Sequence, residues 1–376
     1  MDFNYNLPVN LIFGVGKVEQ LGKEVSKYGK KALIVTGKSS TKKSGLLDKS
    51  QDLLKACDVE CVVFDKVSQN PLTTTAYEGA DLAKKENCDV IVGLGGGSIM
   101  DAAKAIAFIA LNEGDISDYI YGRKQSDKAL PIVLVPTTCG TGSEGNGFAV
   151  LTNPENNDKK SLRCNAIIAK ASIIDPMLMT TMPKSILASV GFDALCHSME
   201  AYLSKSSQPL TSMMALEAIE LIGKNLVNVY NNQDDIKGWE AISLASTLGG
   251  MVINTAGVTA PHGMEHPASG LRDIVHGRGL AALTPVIYEA SIKGAPEKFK
   301  KISQLLGGKD ENDCVDTLKE LLKNINLTTT LSEQGIKEED IPWMAENCLK
   351  VSAVSMKLHP VEFSLEEIKE IYRKAL

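Results

Sequence analysis

Val90-Ile91-Val92-Gly93-Leu94-Gly95-Gly96-Gly97-Ser98-Ile99-Met100-Asp101-Ala102-Ala103-Lys104 reads as a buried strand, a glycine turn and the start of a helix. An apolar run without polar alternation needs cover on both faces, which a parallel sheet between helices provides. Glycines in the turn let the backbone approach a ligand closely. The helix N-terminus that follows offers free N–H groups and a positive dipole, which suits a pyrophosphate. Gly93, Gly95 and Ser98 stand at the spacing of G-x-G-x-x-G, so the last glycine is missing, and a plain tight turn is the alternative.

Working outward, Lys31–Thr36, Val59–Val67, Asp89–Leu94 and Pro131–Val135 are short β-rich runs separated by amphipathic stretches. That alternation predicts βαβ units, with Asn10–Gly14 as an additional edge strand. A second polar loop, Pro136-Thr137-Thr138-Cys139-Gly140-Thr141-Gly142-Ser143-Glu144, follows the strand after the glycine turn, and two such loops at strand ends make a crevice. Beyond Pro183 the apolar period becomes helical over Ser212–Tyr230, Trp239–Thr255 and Val315–Asn324. Ser364-Leu365-Glu366-Glu367 is a capping box opening a last helix. A chain of 376 residues exceeds what one core usually fills. We therefore expect an α/β nucleotide-binding domain over 1–180, a doubly wound, Rossmann-like parallel sheet, and an all-α metal-binding domain over 181–376.

Four of the five histidines fall in two short segments. Asp193 and His197 are four apart in the Ala-rich run 191–201, and His262 and His266 repeat the offset, with His276 ten residues on. On a helix that offset puts two side chains on one face, one turn apart. Imidazoles plus one carboxylate suit a divalent cation and leave positions open for substrate. For either pair alone, a helix-surface hydrogen bond is the plain alternative. His359, far from every motif, reads as structural or exposed, and Cys196 as core because it points away from the ligand face.

A net charge of −6 argues against a nucleic-acid surface, and no run reaches the roughly 18 apolar residues of a membrane span. The start, Met1–Asn6, lacks the basic and apolar regions of a signal peptide. Eight cysteines without a C-x-x-C pair fit reduced thiols, so a cytoplasmic protein is expected. A homodimer or larger homo-oligomer is expected as well.

GFDALCHSMEAY at 191–202 and HGMEHPASG at 262–270, with His276-Gly277, resemble the metal signatures of the iron-containing alcohol dehydrogenase family, in its NADP-dependent butanol dehydrogenase-like branch. The resemblance implies a dehydroquinate synthase-like fold and puts the metal ligands on Asp193, His197, His262 and His276. It places His266 beside substrate and nicotinamide, where an imidazole near its solution pKa of about 6.5 would relay a proton, unless it only orients a ligand. It carries cofactor contacts onto Gly96, Gly97, Ser98, Asp101, Thr137, Thr138, Thr141 and Ser143, and less directly onto Asn70 and Lys160. Gly145-Asn146 departs from the family's usual Val-Thr. Phe148 joins the cofactor set and, with the 245–260 helix, would shape the alcohol pocket.

The activity so implied is hydride transfer between NADP(H) and a small primary alcohol or aldehyde, with Fe2+ as the expected ion and Zn2+ open. NADP rather than NAD follows from Gly37-Lys38-Ser39-Ser40 at the end of the first parallel strand. Many NAD-using members of the family have Asp where Gly37 stands, whereas Gly37, Ser39 and Ser40, with Lys38, Lys42 and Lys43, leave room for a 2′-phosphate. The rival activities are a dehydroquinate synthase-type lyase, a glycerol or diol dehydrogenase, and a non-catalytic binding protein. The lyase needs a cluster of basic residues, and around 245–280 only Arg272 and Arg278 are found.

Overall fold

The computed structural model describes residues 3–376; Met1 and Asp2, the first residues of the signal-peptide reading, lie outside the described residues. Eight strands form two sheets: β1 Asn10–Phe13, β2 Lys31–Gly37, β3 Glu60–Val67, β4 Val90–Gly95, β5 Ile132–Pro136, β6 Phe148–Thr152, β7 Lys159–Arg163 and β8 Ala171–Ile174. Six of them make one parallel sheet in the order β1-β8-β5-β4-β2-β3. Strand residues alternate between two cores. Leu33, Val35, Ile91 and Leu134 meet the helices Thr73–Lys85 and Gly97–Ile109, whereas Ala32, Ile34, Val90 and Val133 meet Leu21, Val25, Leu47 and Leu54 on the other face. Helices therefore cover both sides, as the apolar runs predict.

The chain steps from β2 out to β3, then returns to lay β4 on the other side of β2. That reversal opens a crevice at the carboxyl ends of β2 and β4, where doubly wound sheets bind ligands. The Asn10–Gly14 reading holds, since β1 is an edge strand. Two features were not foreseen: β8, which sits between β1 and β5, and the antiparallel hairpin β6–β7. Both lie in 148–174, where polar and charged residues such as Lys159, Lys160 and Arg163 interrupt the apolar run.

From Lys184 on, the described residues are helical, led by Lys184–Leu203, Pro209–Asn231, Ile236–Ala256, Ala260–Arg272 and His276–Ser291. They share one large core in which Phe192, Leu195, Trp239, Tyr288 and Phe299 are buried. Ser364 and Glu367 form the capping box that opens the Leu365–Ala375 helix. Among the described residues no single helix is long and apolar enough to cross a membrane.

Candidate metal centre and cofactor crevice

Asp193 and His197 leave one face of helix Lys184–Leu203, His262 comes from the first turn of Ala260–Arg272, and His276 opens His276–Ser291. The third helix reaches the first because residue 277 is glycine: a Cβ there would collide with the Ser189 carbonyl and hydroxyl. Around Asp193 Oδ1 stand three Nε2 atoms, of His262 at 3.3 Å, His276 at 3.6 Å and His197 at 3.7 Å. Ligand atoms of Asp193, His262 and His276 lie within 4.8 Å of one another.

Each imidazole is turned by a contact to its other nitrogen. His262 Nδ1 donates to Glu200 Oε1 at 2.5 Å, His276 Nδ1 donates to Glu265, and His197 Nδ1 stands 3.3 Å from the Gly140 carbonyl. Such partners fix the tautomer that leaves the Nε2 lone pair free for a metal. Glu200 also accepts from the Thr259 N–H at 2.6 Å and the His262 N–H at 3.4 Å. It therefore caps the helix it aims, with its charge at the positive end of the dipole.

Asp193 Oδ1 and His262 Nε2 are buried and have no hydrogen-bond partner. Buried polar atoms are rarely left unmatched, and these two converge on one point. The donor set thus fits a divalent cation, with Asp193, His197, His262 and His276 as its holders. Burial pushes His197 down to about 4, so it presents a neutral ring. Against burial, the cluster of imidazoles, in which Glu200 and Asp193 raise His262 to about 10, holds the Asp193 carboxyl well below the usual carboxylate range.

Two cavities meet at the glycine turn. One, of 500 Å³, is lined by Gly96, Thr137, Thr138, Ser40 and Thr41 and is walled by Met182 and Pro183. The other, of 470 Å³, runs from Gly97, Ser98 and Thr141 past Phe148 to His197, His262, His266 and His276. Gly97 has no room for a side chain, because a Cβ would strike the Thr141 side chain. Gly96 caps the Gly97–Ile109 helix without a side-chain acceptor, so that helix start stays open to an anion.

Not every residue read as a cofactor contact has its polar atoms free. Asp101 accepts from the Ser143 hydroxyl at 2.6 Å and from the Val150 N–H at 3.0 Å. Asn70 Nδ2 donates to Asp273 Oδ1 at 2.7 Å and to the Ile274 carbonyl, and Lys160 Nζ donates to the Val351 carbonyl. All four line the metal-side cavity rather than the Ser40 cavity. Gly37 and Ser39 are at the β2 end but do not line the Ser40 cavity. Lys42 is paired with Asp65, so one of the three lysines expected to raise the potential there is neutralised.

The Gly145-Asn146 departure is accommodated. Asn146 Oδ1 accepts from the Phe148 N–H and, at 3.0 Å, from the wholly buried Lys104. That ammonium also donates to Ser143 O, Ser143 Oγ and Phe148 O, and burial lowers it to about 8. Lys104 thus ties the second loop to the Gly97–Ile109 helix.

His266 is corrected in one respect. Burial, and next the charge of Lys159, push it well below its ordinary value, so it is a neutral acceptor rather than a group poised near 6.5. His359 is buried, with Nε2 2.7 Å from Ser291 Oγ, and Cys196 lies in the core. The sequence reading overlooked Glu200, Glu265, Lys104 and Lys159. Glu200 is three residues from His197 and Glu265 three from His262, so helical spacing could have found both. Lys159 Nζ is 3.6 Å from Glu265 and 3.5 Å from His276 Nδ1, but its hairpin gave no such signal.

Two family models match the chain, "Iron-containing alcohol dehydrogenase" over residues 8–176 and "Fe-containing alcohol dehydrogenase family, C-terminal" over 187–376. A 1,3-propanediol dehydrogenase of Citrobacter freundii is 36% identical over 99% of this chain and 98% of its own length. An NAD-dependent methanol dehydrogenase of Bacillus methanolicus is 31% identical over 99% of this chain and 100% of its own. Among solved structures, an archaeal halo-thermophilic alcohol dehydrogenase from a Red Sea brine pool superposes with a TM-score of 0.96 at 36% identity, covering 100% of this chain and 99% of that one. With both halves matched and the unpartnered Asp193 and His262 atoms at its centre, the chain belongs to the iron-containing alcohol dehydrogenase family and is an oxidoreductase.

Proposed function

We propose that this protein moves a hydride between NADP(H) and a small primary alcohol or aldehyde, using one divalent ion, iron before zinc, held by Asp193, His197, His262 and His276. The observation that carries this reading is the pair of buried, unmatched atoms, Asp193 Oδ1 and His262 Nε2, at the end of a cavity that begins at the glycine turn. When bound, the ion supplies Lewis acidity toward the hydroxyl or carbonyl, and the nicotinamide gives or takes the hydride. The chain does the rest. His197, His262 and His276, locked by Gly140, Glu200 and Glu265, fix where the reacting oxygen sits. Phe148, Ile253 and Val258 keep water from the reacting carbon. Neutral His266, in the same cavity, accepts the hydroxyl proton and passes it outward.

Incubation of the metal-loaded protein with a primary alcohol and oxidised cofactor tests this: reduced nicotinamide is expected, and a lyase or a binding protein would form none. The relatives' names point to different alcohols and so do not choose the substrate; the propanediol dehydrogenase makes a diol the second reading. The eight free cysteines support a reducing, cytoplasmic setting, and a homo-oligomer is part of the same reading.

The choice of NADP(H) rests on Gly37. A Cβ there would meet only Ile99 Cδ1 at 3.5 Å and Val67 O at 3.7 Å, so an aspartate fits. A carboxylate about 4 Å from a 2′-phosphate costs about 4 kcal/mol per charge pair at an effective dielectric of 20. Salt screening at this open site brings that to about 10–100-fold in affinity. NADP(H) is therefore expected to exceed NAD(H) in kcat/KM, and Gly37→Asp to reverse the order. Equal values for the two cofactors in the unaltered protein would refute it. A methanol and a butanol dehydrogenase among the relatives are named as NAD- and NADH-dependent, so the preference for NADP(H) rests on the Gly37 segment alone.

A further inference from the structure

The two arginines of 245–280 are engaged elsewhere, Arg272 pairing with Asp340 and Arg278 donating to Thr329. Hairpin strand β7 brings Lys159, Lys160 and Arg163 to the wall of the cavity that holds the histidines. Lys159 is matched by Glu265 at the inner end. Arg163, four residues on, shares its pleat face, with Cα atoms about 13 Å apart at 3.3 Å per residue. Its guanidinium lies 4.5 Å from the centroid of the Phe148 ring. Lys160 lies 5.6 Å over the Tyr121 ring.

Among the described residues neither Lys160 nor Arg163 forms an ion pair. Asp158, whose field reaches Lys160, is spent on the Tyr121 hydroxyl and on Asn347 Nδ2. Burial, and then the charge of Arg163, hold the Lys160 ammonium below its ordinary range, so the two cations feel each other. Asp158 offsets part of the Lys160 charge, but neither cation has an ion-pair partner, and with Lys160 half-buried and Arg163 exposed at the cavity wall the two attract an anion. The same cavity carries apolar lining from Phe148, Val150, Ile253 and Val258. The cavity thus asks for a polar head, a short apolar middle and a negative tail.

We propose that the substrate is an alcohol or aldehyde with an anionic group at its far end, an ω-hydroxy or ω-oxo carboxylate in the simplest case. Arg163 is the partner of that anion, because its planar fork matches a carboxylate, and Lys160 adds to the field. This rests on the dehydrogenase reading above. The test compares kcat/KM for 4-oxobutanoate and for butanal with the metal-loaded enzyme and NADPH. The unaltered protein should favour 4-oxobutanoate by about 10-fold or more. Arg163→Gln should lower the ratio of the two values by about 10–100-fold, as for loss of a hydrogen bond to a charged group, and Arg163→Lys should restore much of it. A structural role for Arg163 would depress both substrates alike and leave the ratio intact, which overturns the proposal. So does a preference for butanal, or a rise in the KM for NADPH with the ratio unchanged, which would assign the cations to a cofactor phosphate. Failure to reduce either aldehyde with NADPH or with NADH removes the small-aldehyde reading and this proposal together, whereas good turnover of butanal without anion preference removes this proposal alone.

Discussion

His262→Ala is expected to yield a folded protein that no longer retains a divalent ion and has lost turnover by at least about three decades. His262 Nε2 is nearest to Asp193 Oδ1, at 3.3 Å, and its ring stacks 22° from parallel on His197 at 4.5 Å. Removing it takes away a candidate ligand and leaves Asp193 and Glu200 facing a void. Loss of one of the few holders of a divalent ion costs affinity well beyond the 10–100-fold typical of losing only an outer partner. The fold should survive, because Glu200 keeps its bonds from the N–H and hydroxyl of Thr259, at 2.6 and 3.3 Å. The expected stability cost is about 1–3 kcal/mol, for a buried acceptor that has lost one partner. Metal content and thermal unfolding on the same preparation check both halves. A variant that keeps stoichiometric metal and full turnover would remove His262 from the site.

His266→Ala is expected to behave differently, keeping the metal while turnover falls by about 10²–10⁴, the range for a positioned general acid–base group. His266 is one helical turn beyond His262, its ring centroid 6.0 Å from that of His262 and 5.7 Å from that of His276, and it faces the cavity. Burial keeps it neutral, with its lone pair open to a proton, though as a weaker base than a free imidazole. Its ligand atoms also lie within 4.8 Å of Glu265 and His276, a second grouping able to hold an ion. Metal loss in the alanine variant would therefore make His266 a ligand or a ligand orienter, and measured metal content decides between the roles.

The parts of this molecule that show in its sequence are those where local periodicity and tertiary role coincide. The middles of β2, β4 and β5 are apolar because both faces are covered, and the pairs Asp193/His197 and His262/His266 share helix faces. What did not show depends on contacts distant in the chain. Glu265 meets His276 across the break between two helices, and Lys104 meets Asn146 across forty-two positions. β8 is four residues long and takes its place in the sheet only by pairing with β1 and β5. The charged β7 is unlike a strand in isolation because its residues serve the cavity rather than a core. Asp101 and Ser143 follow the same rule in reverse: their motif was legible, yet their polar atoms bond to each other between the Gly97–Ile109 helix and the second loop.

The central claim is that turnover depends on one divalent ion at Asp193, His197, His262 and His276. It is tested most directly by titrating metal into protein stripped by a chelator under anaerobic conditions, while following bound metal and alcohol-dependent formation of reduced nicotinamide together. The expected result is activity rising in proportion to occupancy and levelling off at one ion per chain, with the His262→Ala protein silent throughout. Full turnover in the stripped protein, or saturation of the His262→Ala protein with equal activity, would contradict it.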